Sequence, residues 1–313
     1  MKQKLLFSLL TSLLLLSACS SPTESDDNSG ESSVGDNTSS EEQNGSSEEN
    51  KSSFENGNSE EQNNSSSENE GTSSEEGSSS ESGSFTSEPN DQDCAYDAGA
   101  HTLACDEKTY KTVVIGDQVW MAENLNYGAY VEGRNSSSQL LSGSQKFCYD
   151  NLVSNCEDLG GLYQWHIAMA LPVNCGDGST SCVSSLASPI HQGICPNGWH
   201  VPSKNDWDKM ATSVGGTVDE FFPDDYNNVG QTLKKDSFGG SNLSDFSAIK
   251  TGRRTQTGVF ANIDTSTDFW EAEESTSERG FIRTILENVD YMSRTSTFDS
   301  EKVAGYSIRC LKD

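Results

Sequence analysis

The stretch CPNGWHVPSKNDW, residues 195–207, decides the fold class. It runs from a cysteine through two prolines into the start of a helix. Ser203 is a good N-cap, and Asp206 stands three positions on, where a capping box places an acid. Trp207, Met210, Ala211 and Val214 then recur at i, i+3, i+4 and i+7, which makes one apolar face. Gly215-Gly216 closes the pattern. The spacing predicts an extended segment, a proline turn and an amphipathic helix over 204–214. Trp207 reads as core, and His200 as a fixed hydrogen-bonding group inside the turn.

Outward from this stretch, the chain alternates short β-prone runs with loops. Residues 110–115 and 118–121 read as a β-hairpin, with Gly116-Asp117 as a tight turn. Residues 147–161 read as a loop. Residues 162–171 read as a helix ending before Pro172. Residues 174–194, rich in Ser and Gly, form another loop. Residues 246–254 and 258–260 look like short strands and turns, and 267–270 and 280–286 like strands. Residues 305–311 read as an alternating strand with Tyr306, Ile308 and Cys310 on one side.

Nine cysteines are present. Setting Cys19 aside for lipid leaves Cys94, Cys105, Cys148, Cys156, Cys175, Cys182, Cys195 and Cys310. An exported chain meets an oxidising compartment, so disulfides are the default. Eight cysteines allow 105 connectivities. Spacing favours 94 with 105, 148 with 156 and 175 with 182, leaving 195 with 310. That last bond requires the final strand to lie beside the segment entering the helix. With no C-x-x-C pair and no H-E-x-x-H in the chain, structural zinc is disfavoured.

The address is written at the start. Lys2 and Lys4 precede an apolar run, residues 5–16, too short to span a bilayer, so residues 1–18 read as a secretory signal. Leu16-Ser17-Ala18-Cys19 resembles the bacterial lipobox, which implies acylation of Cys19. Two or more acyl chains would anchor stably. Ser20 rather than Asp favours the outer membrane. Residues 19–93 read as a disordered tether of Ser, Glu and Asn, with 20 acidic residues against one basic residue, Lys51. It buries too little apolar surface to offset ordering entropy. At about 74 residues it reaches roughly 40–50 Å. Residues 94–313 carry 29 acidic and 17 basic residues, a net charge of −12. No basic stripe exists to meet phosphates, so nucleic acid is an unsuitable partner. Roughly 220 residues suit one domain.

The runs TYKTVVIGDQVWMAENLNY, CYDNLVSNCEDLGGLYQWHIAM, CPNGWHVPSKNDW, FSAIKTGRR, GVF, FW and GYSIRCLKD occur in this order. Together they resemble the Fibrobacter succinogenes major paralogous domain over 109–313. The resemblance implies an exported paralogue from a cellulose-degrading lineage. One departure is plain: the family often carries a W-S-S-T-type run where this chain has Trp270-Glu-Ala-Glu-Glu-Ser275. The C-P-x-G-W and R-C frame is similar to the C-type-lectin-like fold, shared with formylglycine-generating enzymes. The expected architecture is α+β: a small twisted antiparallel sheet, two helices and long disulfide-pinned loops.

Candidate chemistry is sparse. Glu88-Pro89-Asn90 has the form of a calcium-lectin triplet but lies in the tether. Asp150, Asn155, Glu157 and Asp158 are the oxygen cluster that would suit calcium, the one ion in view. Phe221, Phe222, Asp224, Asp225 and Tyr226 form the candidate ligand loop, aromatics beside carboxylates. Trp120, Trp165, Trp199, Trp207 and Trp270 read as core. His101, His166 and His191 show no triad or metal spacing, and pairing of the eight cysteines would leave no thiol for formylglycine-type catalysis. The expected function is a lipid-anchored envelope binding module for polysaccharide or another surface component. The alternative is a structural protein of the outer membrane that binds other envelope proteins.

Overall fold

A computed structural model describes residues 90–105, 108–187, 189–297 and 300–313. The signal at 1–18, Cys19 and nearly all of the tether at 19–93 lie outside the described residues. β1 (Ala95–Asp97) and β2 (Thr102–Ala104) form a hairpin clamped by the Cys94–Cys105 disulfide. β3 (Thr109–Ile115) and β4 (Gln118–Met121) form the expected hairpin, turning at Gly116, whose φ of 62° suits glycine. β5 (Ala129–Tyr130) pairs in parallel with β6 (Gln145–Lys146). Helices α1 (Val153–Leu159) and α2 (Trp165–Ala168) follow. Next come β7 (Trp199–His200), α3 (Lys204–Ser213), β8 (Thr217–Val218), β9 (Tyr226–Asn227) and α4 (Gly230–Leu233). A ribbon of β10 (Arg253–Arg254) and β11 (Phe260–Ala261) precedes the long strands β12 (Ser266–Glu274), β13 (Gly280–Leu286) and β14 (Tyr291–Thr295). β15 (Leu311–Lys312) closes the chain.

The molecule is thus mixed helix and sheet, but not built on one small sheet with two helices. Two antiparallel sheets carry it, ordered β1-β2-β3-β4-β15-β7 and β12-β13-β14-β9-β8, and four short α-helices stand among the described residues. β15 lies between β4 and β7, with Leu311 opposite Trp120 on one side and His200 on the other. This placement brings Cys310 to Cys195, as the sequence requires. All four disulfides pair as spacing favours: 94–105, 148–156, 175–182 and 195–310.

All five tryptophans are buried. Trp207 of α3 meets Trp120 at 4.8 Å and Phe269 at 5.5 Å, joining α3 to both sheets. Trp270 meets Tyr306 edge-on at 4.6 Å in the other half of the core. Before Cys94, the chain is already docked: Asn90 is buried and its carbonyl accepts from the Gln192 amide at 2.9 Å.

Three expectations about local structure are corrected. Residues 162–171 are not a continuous helix, because only Trp165–Ala168 makes a turn. Leu162 pairs with Phe147 and Tyr163 with Tyr306, and the Gln164 side chain bonds Leu141, Gln139 and Val303. Every residue from 161 to 169 is buried, so the segment has no polar face, and neighbouring chain satisfies its backbone groups. Residues 147–161 are not all loop: α1 forms there, held by Cys148–Cys156, with Cys156 its one buried residue. Residues 305–311 are not one-sided. Ser307 and Arg309 are as buried as Tyr306 and Ile308, and only Leu311–Lys312 is regular strand. Arg309 stacks on Phe246 with its guanidinium carbon 4.2 Å from the ring centre, donates to Asn124 Oδ1 at 2.8 Å, and bonds the Phe246 and Ser247 carbonyls.

Candidate functional site

The helix that opens at Ser203 organises the site. Asp206 Oδ2 accepts from the Ser203 backbone N–H at 3.0 Å and from its hydroxyl at 2.6 Å, so the reciprocal acid of the capping box is in place. His200, on β7, donates from Nδ1 to Asp313 Oδ1 at 2.7 Å and has Nε2 3.5 Å from Asp206 Oδ2. Burial pulls the imidazole down, but the two carboxylates outweigh it and raise its pKa above 6.5. His200 is therefore a fixed hydrogen-bonding group, as expected.

The outer side of α3 presents Lys204 and Asp208 to the β12–β14 sheet. Glu271, fully buried on β12, takes Arg283 Nε at 2.5 Å and Arg294 Nε at 2.6 Å. Arg283 also reaches Asp208 Oδ1 at 2.9 Å, and Arg294 reaches Glu273 Oε2 at 2.5 Å. Lys204 bridges Asp208 at 2.6 Å and Asp224 at 3.2 Å. The Arg294 guanidinium lies 3.5 Å over the Phe281 ring. Burial pushes the Glu271 carboxyl above its ordinary range while the two guanidiniums pull it back. This ionic cluster accounts for the acidic run at 270–275. Glu271 and Glu273 hold the arginines. Glu274 accepts from Lys302 at 2.5 Å and from the Cys182 backbone at 2.9 Å, fixing the 175–182 disulfide loop.

The same cluster anchors the candidate ligand loop. Arg283 donates to the Asp224 carbonyl at 2.9 Å, and the Arg294 backbone N–H donates to Asp225 Oδ1 at 2.8 Å. At the other end, Asp219 Oδ1 accepts from the backbone N–H groups of Phe221 at 2.9 Å and Phe222 at 3.2 Å. Asn227 donates to Asp219 Oδ2 at 2.8 Å, and the Asp225 N–H bonds the Phe222 carbonyl. Both ends of a short segment are thereby fixed. At its tip Phe221 and Phe222 are 60% and 61% exposed, although phenylalanine is usually buried.

The five residues predicted for this loop thus divide. Phe221 and Phe222 present the surface. Asp224 and Asp225 serve as anchors, paired to Lys204, Arg283 and Arg294. Tyr226 is a correction: it lies in β9 opposite Met292 and Val218, and its ring packs into the core with Trp207 and Ile285. The calcium candidates are not brought together. Asp150 is exposed at a left-handed φ of 53°, and the Asn155 amide donates to the Tyr149 carbonyl at 2.8 Å. Glu157 and Asp158 lie exposed on α1. Among the described residues no group of three or more His, Cys, Asp or Glu converges to hold a metal.

Two more histidines pin loops. His191 accepts from Ala187 N–H at Nδ1 and donates from Nε2 to the Met169 carbonyl at 2.8 Å. His166 donates from Nε2 to the Leu141 carbonyl at 3.0 Å, and burial lowers its pKa to about 4. A concavity of about 380 Å³, lined by Lys108, Tyr110, Asn126, Tyr127 and Lys146 among others, is invisible in the sequence. Its walls come from several separate segments, and no motif spans them.

No curated protein sequence and no solved structure matches this chain. Residues 113–312 match the Fibrobacter succinogenes major domain, from the middle of β3 to the end of β15. The chain therefore belongs to the Fibrobacter succinogenes major domain family.

Proposed function

We propose that this chain is a lipid-anchored binding module of the bacterial outer membrane. Cys19 carries the acyl anchor, residues 19–93 are the tether, and the domain engages polysaccharide through Phe221 and Phe222. The domain itself is C-type-lectin-like. Its terminal segments meet in one sheet, tied by Cys195–Cys310, with the capped helix α3 packed between sheets; these features support that assignment. The observation that carries the function is the exposed phenylalanine pair on a loop fixed at both ends. A rigid aromatic surface binds without the entropic cost of ordering a mobile loop.

The full chain should be retained on at least one of cellulose, xylan or pectin, and the double change Phe221→Ala, Phe222→Ala should release it. Absence of retention on all three would sink the reading. Palmitate labelling lost in Cys19→Ser would support the anchor, and labelling that persists would remove it.

A second reading, an assembly protein of the envelope, draws on β8. That strand is the edge of the five-stranded sheet and carries the exposed Val218 beside the same loop. Edge strands accept partner strands. Crosslinking in intact envelopes that yields only monomer would exclude it.

A further inference from the structure

We propose that the Phe221–Phe222 surface selects neutral, hydroxyl-rich glycan chains and rejects acidic ones. This rests on the binding role assigned above and names the class of ligand. The selection is electrostatic. Around the loop, seven carboxylates (Asp208, Asp219, Glu220, Asp224, Asp225, Glu271 and Glu273) stand against Lys204, Arg283 and Arg294. Each of those three cations is engaged by carboxylates of this cluster, and the two arginine side chains are 0% and 5% exposed. They cannot turn outward to meet a uronate without leaving Glu271 buried and uncompensated.

Next to the aromatic pair, Glu220 is exposed, and the Asp224 side chain is 45% exposed. The whole domain at 94–313 adds a net charge of −12. An approaching polyuronate therefore meets like charge inside one Debye length, about 8 Å at physiological salt. A neutral glucan or xylan meets no such barrier. Its sugar faces have C–H groups to lay on the two rings. Its hydroxyls can donate to the half-exposed Asp224 carboxylate. Aromatic faces supply the apolar contact, and that carboxylate supplies the polar orientation.

The test uses the full chain and three immobilised probes: cellulose, unsubstituted xylan and polygalacturonate. Retention on a neutral probe, with polygalacturonate at least about tenfold weaker at low salt, is the expected result. Raising salt should narrow the gap from the polygalacturonate side only. Glu220→Lys, an exposed change outside the ionic cluster, should strengthen polygalacturonate retention and leave neutral retention unchanged. Equal or stronger retention of the parent on polygalacturonate overturns the selectivity and leaves the binding role standing. Retention on no probe overturns both. If Phe221→Ala, Phe222→Ala perturbs folding, Glu220→Lys still decides the charge argument, because a variant that gains polygalacturonate binding is folded.

Discussion

Replacing Cys195 and Cys310 together by alanine removes the bond that ties the entry of α3 to the last strand. The bond spans a sequence separation of 115, and no other cysteine lies between its ends. Its loop therefore closes independently of the other three. In the chain-entropy account, a loop of that length is worth about 5 kcal/mol at 25 °C. The Cys175–Cys182 bond spans a separation of 7, also with no cysteine inside, and the same relation gives about 2.4 kcal/mol. Both pairs are buried, so loss of sulfur packing enters the two variants alike. The difference, about 2.5 kcal/mol, isolates loop length. Urea unfolding of each double variant and the parent, without reductant and compared at a common slope, measures it. Equal losses, or a larger loss from the short loop, would refute the entropic account. A parent domain whose cysteines react with a thiol reagent before reduction would refute the pairing itself.

Further outcomes follow from single contacts. His200 has a raised folded pKa, so its contribution is full below 6.5 and is lost as pH rises from there through the folded value. Urea midpoints taken from about pH 5.5 to 8.5 should fall for the parent, and His200→Gln should flatten that slope. Glu271→Gln leaves Arg283 and Arg294 without their shared buried carboxylate and should cost about 3–5 kcal/mol. Thermal unfolding should also show Glu271→Leu with Arg283→Met losing less than the sum of the two single changes. Lys234 is fully buried, with its ammonium donating to the carbonyls of Leu286, Glu287 and Val289 at 2.7–2.9 Å. Lys234→Met fills similar volume but strands those acceptors, and denaturant unfolding should show a loss of about 2–4 kcal/mol.

What the sequence revealed and what it concealed divide along physical lines. The segment 195–207 was legible because its information is local. A proline turn, a hydroxyl cap, an acid at the third helical position and a 3.6-residue apolar period all act within a dozen residues. The hairpin over 110–121 was legible for the same reason, as was the pairing of cysteines close in sequence. The segment 162–171 was not, since residues 161–169 are all buried and carry no period, and partners as distant as Tyr306 and Lys302 set its backbone. Arg309 read as the outward side of a strand because its covering rings, Phe246 and Phe269, are over 35 residues away. The candidate loop was picked out by composition alone, aromatics beside acids. Composition could not separate Phe221 and Phe222 from Tyr226, because the distinction depends on which side of β9 faces Met292.

The acidic run at 270–275 and the loop at 219–226 are best understood as one unit. In a strand packed under α3, a serine in place of Glu271 could not neutralise two guanidiniums. Arg283 and Arg294 are thus acceptable in β13 and β14 because β12 supplies the carboxylates. Having been brought under α3, the arginines use their remaining donors on the Asp224 carbonyl and the Asp224 carboxylate, while the Arg294 backbone holds Asp225. Glu271 therefore acts through the two arginines on the segment that carries the exposed phenylalanines. The four disulfides and the Ser203–Asp206 cap are made by other residues. A scaffold held by disulfides and rings, with a separate ionic clamp for one loop, can change the loop and its clamp together while the core stays as it is.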